Sequence, residues 1–305
     1  MTRSGTVAGV ELGGTKSIAI VAVDGRIVEQ QAFATGAPSA TLPLLTEWLV
    51  QRQPDDGFAG LGIATFGPVR LDRAEPDFGH ILVTPKIGWT GASLVEPLTA
   101  RLCCPVAIDT DVNAAAMAEY RLGAAQGCSS LAYVTIGTGI GVGVLVNGQP
   151  VHGRLHPEAG HLSVRRAPGD GFAGVCAFHR DCVEGLLSGP GLAARFGQDP
   201  ATVAAGDVRW GHAAHDLAHL LASLLFTLSP QRILIGGGVG IGAPQLLPAA
   251  IALLPSLLGG YLPDLDAATL ADTVRIAGLG ERAGPLGAVA LAQDAVSEGR
   301  SDQQR

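Results

Sequence analysis

Glu11-Leu12-Gly13-Gly14-Thr15-Lys16 interrupts an apolar run from Val7 to Val23, and its reading decides the fold. A glycine pair between two alternating apolar stretches marks a β-hairpin, and a second turn at Asp24-Gly25 leads into a further extended run. The arrangement returns at Leu131–Val146. There Tyr133-Val134-Thr135-Ile136 passes through Gly137-Thr138-Gly139-Ile140-Gly141 into Gly143-Val144-Leu145-Val146 and closes on Asn147-Gly148. Between the copies, helix-like segments near 42–53, 92–102 and 114–122 alternate with extended segments at 60–64 and 106–109. Alternation of this kind predicts an α/β protein, and the repeated glycine hairpin predicts two related domains with a cleft between them. The boundary is expected near Asn113, giving domains 1–113 and 114–283, with a final helix at about 284–297 packing back on the first. The second domain carries a loop-rich insert at 152–182, a helix near 213–228 and a strand at 232–235. The tail 297–305 is polar and is expected to fray.

Composition narrows the function. A chain of 305 residues with 47% hydrophobic side chains can fill two cores, and 43 glycines with only 15% charged residues argue against a disordered or coiled-coil protein. The formal net charge of −7, with no basic run, leaves no electrostatic footprint for nucleic acid, and no helix-turn-helix segment is expected ahead of the first strand. Met1–Gly5 runs directly into an apolar strand without a signal-peptide core, so a cytoplasmic protein is expected. Leu246–Leu262 is the most apolar stretch, but Pro248 and Pro255 interrupt it, and it reads as buried helix and loop, with no membrane span. Five cysteines in such a chain predict no disulfides; Cys103, Cys104 and Cys128 read as packed thiols.

The glycine turns carry the first chemistry. Gly13 and Gly14 let backbone amides approach an anion, Thr15 adds a hydroxyl, Lys16 a cation, and Glu11 a carboxylate that can hold magnesium through water. A plain hairpin turn would use the same residues. Thr138 and Gly139 occupy the matching place in the second hairpin, so the two turns are expected to clamp a triphosphate from both sides. Gly236-Gly237-Gly238 follows a strand and offers bare backbone to a flat adenine or ribose. Asp109-Thr110-Asp111-Val112-Asn113 stands where a strand meets a helix, and Asp111 can accept the proton of a sugar hydroxyl during phosphoryl transfer. The alternative is that Asp109 or Asp111 only caps the helix. Glu158 and Glu184 are candidates for hydroxyl recognition or for ordinary solvated charge.

A third pattern is metallic. Cys176, His179 and Cys182 are evenly spaced, and His161 lies fifteen residues before Cys176. Two thiolates and two imidazoles suit a tetrahedral structural zinc that pins a long loop. Reduced thiols beside a surface histidine are the alternative. His212, His215 and His219 share a helical face by spacing alone, and His152 and His156 read as loop residues near the zinc site.

Taken in order, these motifs resemble the ROK family of sugar kinases and repressors, and within it the zinc-containing bacterial fructokinases. The resemblance runs from Val7 to about Gly287. It adds Thr65-Phe66-Gly67-Pro68-Val69, Gly79-His80, Thr84-Pro85-Lys86-Ile87-Gly88-Trp89, His156-Pro157-Glu158-Ala159-Gly160-His161 and Glu184-Gly185 with Ser188-Gly189-Pro190. The resemblance implies a two-domain actin-like ATPase fold, ribonuclease H-like, with sugar and ATP in the interdomain cleft. It implies Asp111 as catalytic base and Gly67, Pro68, Lys86, Thr110, Glu158 and Glu184 around the sugar. Gly189 and Pro190 join the nucleotide residues, and His161, Cys176, His179 and Cys182 become the zinc ligands. Glu11 stands where an aspartate is common in the wider family, Thr110 where asparagine often precedes the base, and His179 where a cysteine-rich zinc loop is usual; all three look like the fructokinase branch. Lys86 points the same way. The expected activity is ATP- and Mg2+-dependent phosphorylation of fructose at its 6-hydroxyl by a homodimer. A relaxed glucose/mannose kinase and a silent sugar sensor of the same fold stand as alternatives.

Overall fold

Each glycine turn of the sequence closes a hairpin inside its own five-stranded sheet. The computed structural model of the protein describes residues 5–302 and divides the chain into two α/β units. One unit holds the chain up to Ala118, Pro150–His156 and Glu281 onward; the other holds Glu119–Gln149 and Pro157–Gly280. The reading of Met1–Ser4 as free of a signal sequence, and of Gln303–Arg305 as frayed tail, lies outside the described residues.

The first unit begins with β1 (Thr6–Leu12), β2 (Lys16–Val23) and β3 (Arg26–Ala34), followed by α1 (Pro38–Val50), β4 (Leu61–Thr65), α2 (Val95–Leu102), β5 (Val106–Thr110) and α3 (Asp111–Leu122), which runs on into the second unit. The sheet order is β3-β2-β1-β4-β5, antiparallel across the hairpins and parallel from β1 to β5. Val7, Ala8, Val10 and Leu12 of β1 are all buried, which is why the strand reads as nearly continuous apolar sequence. Asp24 (φ 49°) and Gly25 (φ 78°) turn β2 into β3 with both residues left-handed, the geometry that favours Asp-Gly.

The second unit repeats the plan. β6 (Ser130–Ile136), β7 (Ile140–Val146) and β8 (Gln149–Pro150) form the meander, and α4 (Val183–Leu187), α5 (Gly189–Phe196) and α6 (Val208–Leu228) precede β9 (Arg232–Gly236). α7 (Gly238–Gly242), α8 (Leu246–Leu258), α9 (Ala267–Thr273) and β10 (Val274–Ile276) follow, before α10 (Ala283–Asp302) returns to the first unit. The order β10-β9-β6-β7-β8 is that of the first sheet, strand for strand. α8 ends at Gly259 in the left-handed region, and among the described residues no helix is long and apolar enough to cross a membrane.

Several boundaries differ from the sequence reading. α1 begins at Pro38, four residues before Leu42, because proline's fixed φ suits the first helical turn. α6 begins at Val208, behind the Asp207 cap that accepts the Arg209 amide. α10 continues through residues 297–302, which had read as frayed tail. Cys103 is exposed, contrary to its reading as a packed thiol, because it ends α2 in the left-handed conformation (φ 49°) and its side chain leaves the core.

The insert between β8 and α4 has almost no regular structure and is held by charge. Arg195 of α5 donates to Asp170 at 2.9 Å and to Asp216 of α6 at 2.5 Å, all three side chains at most 3% exposed. Arg166 adds a second bond to Asp170 at 2.6 Å. Burial works to raise Asp170, yet the bonds from Arg166, the Phe172 amide and Arg195 hold it down at about 2.

Candidate active site

In the first unit the residues converge on the start of α3. The Thr110 hydroxyl, 3% exposed, accepts the Asn113 amide at 3.2 Å and so caps the helix. Asp109 braces the cap: its Oδ1 accepts from the Thr110 amide at 2.7 Å and from Asn113 Nδ2 at 2.8 Å. His152 Nε2 pairs with Asp109 Oδ2 at 2.9 Å, and His156 Nε2 accepts the Val69 amide at 3.1 Å. Both histidines lie in Pro150–His156, which groups with the first unit. For Asp109 the structure is that of the capping alternative. Thr110 and Asp109 do the structural work, while Asp111 Oδ1 accepts the adjacent Val112 amide at 2.9 Å.

Asp111 is half-buried, and its pKa rises to about 6; burial is the largest cause, opposed by the Val112 amide and the Lys86 ammonium. Glu11 rises further, to about 7, through burial and repulsion from Asp111, with Lys16 acting against the rise. Glu11 Oε2 is buried without a hydrogen-bond partner among the described residues. A Cβ on Gly284 of α10 would lie 2.1 Å from Glu11 Oε1, so a larger residue there would have to displace that carboxylate. An orphaned carboxylate oxygen of this kind is chemically suited to a hydrated magnesium ion. Lys16 and Thr15 are exposed. Lys86 is not: its Nζ donates to the Gly14 carbonyl and sits 4.3 Å from the Phe66 ring centroid. Gly67-Pro68, a cis peptide, follows directly on Phe66.

In the second unit the other glycine clusters come together. The Gly189 amide donates to the Gly137 carbonyl at 2.7 Å, and the Ser188 hydroxyl caps α5 by accepting the Gly191 amide at 3.2 Å. Glu184 Oε2 accepts the Ile140 amide at 3.1 Å, which puts this carboxylate on the second turn beside Gly139; Glu158 and Thr138 are exposed. Gly237 takes φ 81° with its Cα against the Ile136 backbone, where a Cβ would come within 2.4 Å of a carbonyl oxygen. A cavity of about 430 Å³ opens on Gly189 and Gly238 and is walled by Pro200, Val203, Trp210 and Val239, with Asp199 and Gln245 as its polar side chains. Gly238 and Gly189 were legible candidates. The remaining walls were not, since Pro200, Val203 and Trp210 carry no motif and are brought together only by tertiary packing.

His161, Cys176, His179 and Cys182 form a compact cluster, with one ligand atom from each within 4.8 Å of the others. Cys182 Sγ lies 3.5 Å from His161 Nδ1, and Cys176 Sγ lies 3.8 Å from both His161 Nδ1 and His179 Nδ1. Edges of a tetrahedron with zinc–nitrogen and zinc–sulfur bonds would measure about 3.3–3.8 Å, so the donor set fits. Gly185 permits this packing, because a Cβ there would sit 1.9 Å from the Arg180 carbonyl oxygen. His215 and His219 instead pack ring against ring, centroids 4.6 Å apart, on α6.

Comparison with known proteins gives the same assignment. The ROK family profile matches residues 7–295. A putative fructokinase of Bacillus subtilis (strain 168) is 36% identical over 95% of this chain and 96% of its own length. A fructokinase of Zymomonas mobilis is 38% identical over 93% of this chain and 95% of its own length. Among solved structures, a ROK family glucokinase from Streptomyces griseus, in complex with glucose and AMPPNP, superposes with a TM-score of 0.74 at 26% identity, covering 95% of this chain and all of that one. The two like-ordered sheets are accordingly those of the two-domain actin-like ATPase fold. With the profile and both relatives spanning nearly the whole sequence, this chain belongs to the ROK family.

Proposed function

We propose that the protein is a fructokinase that transfers the γ-phosphoryl group of ATP to the 6-hydroxyl of D-fructose. The observation that carries the reading is Asp111, an acceptor-bearing carboxylate fixed at a helix start by the Val112 amide, its pKa raised to about 6 by burial. A carboxylate tuned toward neutrality takes a proton from an alcohol as the phosphorus–oxygen bond forms. Relatives named fructokinase support the ketohexose, and the solved complex with glucose and AMPPNP supports a hexose with an adenine nucleotide. Gly67, Pro68, Lys86, Thr110, Glu158 and Glu184 are the proposed surroundings of the sugar. Gly13, Gly14, Thr15, Lys16, Thr138 and Gly139 are proposed for the phosphates, and Gly189, Pro190 and Gly236–Gly238 for the nucleoside. Glu11 is the proposed holder of magnesium, which when bound neutralises phosphate charge. A homodimer working in the cytoplasm, where ATP and free hexoses meet, completes the proposal.

A coupled assay over fructose, glucose, mannose and N-acetylmannosamine tests the acceptor. Fructose is expected to give the highest kcat/KM; a higher value for any other sugar reassigns the substrate. For the metal, protein purified without chelator is expected to hold about one zinc per chain by elemental analysis. Chelation should lower Tm by several degrees, because the insert loses the ion that closes it. Metal-free protein with an unchanged Tm would leave the four ligands as an ordinary thiol–imidazole cluster.

A further inference from the structure

The sequence offers two lysines to the first phosphate turn, and the fold treats them differently. Lys16 opens β2 with its side chain in solvent. Lys86 reaches back across 72 residues of sequence to the Gly14 carbonyl, and a Cβ on Gly14 would lie 3.0 Å from its Nζ. Its loop is anchored three residues on. Trp89, 2% exposed, donates Nε1–H to the Gly36 carbonyl at 2.9 Å and meets Phe66 edge to face at 5.2 Å. The ammonium therefore rests on an aromatic face and a neutral carbonyl, and it forms no ion pair within 4 Å among the described residues. It still acts on Asp111 through space, and burial works to lower its own pKa against that attraction. One preplaced cation thus touches the glycine turn and attracts the carboxylate proposed as base. A carbonyl is a weaker partner for an ammonium than an anionic phosphate oxygen, so the Gly14 contact is one a phosphoryl group can displace.

We infer that Lys86 is a catalytic residue whose ammonium leaves the Gly14 carbonyl to contact a non-bridging oxygen of the γ-phosphoryl group during its transfer. The inference rests on the phosphotransferase reading above, and within it moves Lys86 from the proposed surroundings of the sugar to the γ-phosphoryl group. In the step, the bond from the γ-phosphorus to the β,γ-bridging oxygen breaks and its electron pair leaves with ADP. The sugar oxygen forms the new bond to phosphorus, and its proton passes to Asp111. Lys86 neither gains nor loses a proton; it holds the charge on the equatorial oxygens, as a point charge does best.

Lys86→Met and Lys86→Arg test this with saturating fructose and ATP. Loss of one preorganised charge is expected to lower kcat by roughly 10²–10³-fold in Lys86→Met, with fructose KM changed less than about threefold. Lys86→Arg, which keeps the charge, should recover at least a tenth of the wild-type kcat. Calorimetry supplies a second readout: ADP with aluminium fluoride and fructose should bind the wild type tighter than ADP with fructose, and Lys86→Met should lose that tightening while keeping its affinity for ADP. A wild-type kcat in Lys86→Met, or a change confined to fructose KM, overturns the inference and leaves Lys86 as a sugar ligand. If circular dichroism shows Lys86→Met unfolded, Lys86→Gln is judged on the same ratios. A wild type that phosphorylates no hexose overturns the phosphotransferase reading itself, a different result from an active wild type with an indifferent Lys86.

Discussion

Asp111→Asn is expected to lower kcat for fructose by about 10²–10⁴-fold while Tm moves by less than about 2 °C. The asparagine side chain keeps an oxygen for the Val112 amide, and the helix start is in any case capped by Thr110 and braced by Asp109. What disappears is the ability to take a proton. The acid side of the pH profile follows from the same carboxyl: burial raises it to about 6, so the basic form that accepts the proton is present above that pH and is lost as pH falls through it. Wild-type kcat should therefore fall about tenfold per unit below pH 6, and the residual rate of Asp111→Asn should lack that limb. Steady-state kinetics from pH 5 to 8 check both expectations. A variant running near full rate would remove Asp111 from the chemistry and return it to the capping alternative.

Gly62→Ala is expected to damage the first unit more than any exposed substitution. Gly62 lies in β4, and a Cβ there would sit 2.0 Å from the Ala288 carbonyl oxygen and 2.5 Å from the Ala292 amide of α10. Both are backbone atoms of a helix, so no side-chain rotation can relieve the clash. Helix and sheet must separate instead, at a cost at or above about 3 kcal/mol, the upper end of ordinary overpacking. In a unit of about 150 residues that corresponds to a fall in its Tm of roughly 6–12 °C by calorimetry. Gly299→Ala is the control on the same helix: its Cβ would meet only the Pro105 ring at 3.4 Å, and the gain in helix propensity should leave Tm level or slightly higher. Equal melting temperatures for Gly62→Ala and the wild type would mean that α10 does not approach β4 this closely in solution.

The glycine hairpins, the α/β class, the duplicated plan and the Asp111 and zinc motifs were legible because each is local: a turn residue, an alternation or a ligand spacing acts within a few positions. Helix starts were read late where a proline or a capping aspartate, not an apolar residue, opens the element, as at Pro38 and Asp207. The exposure of Cys103 depends on a left-handed φ, which its apolar neighbours do not announce.

The amino-acid sequence thus determined which residues are candidates for the chemistry, since reactive groups and backbone-permissive glycines are properties of residue type. Tertiary structure decided which of them meet. It seated Lys86, not Lys16, on the Gly14 carbonyl, gave His152 to Asp109, and walled the second unit's cavity with Pro200, Trp210 and Val239. These pairings join segments tens of residues apart. Their register is set by how helices pack on sheets, and no local pattern in the chain encodes it.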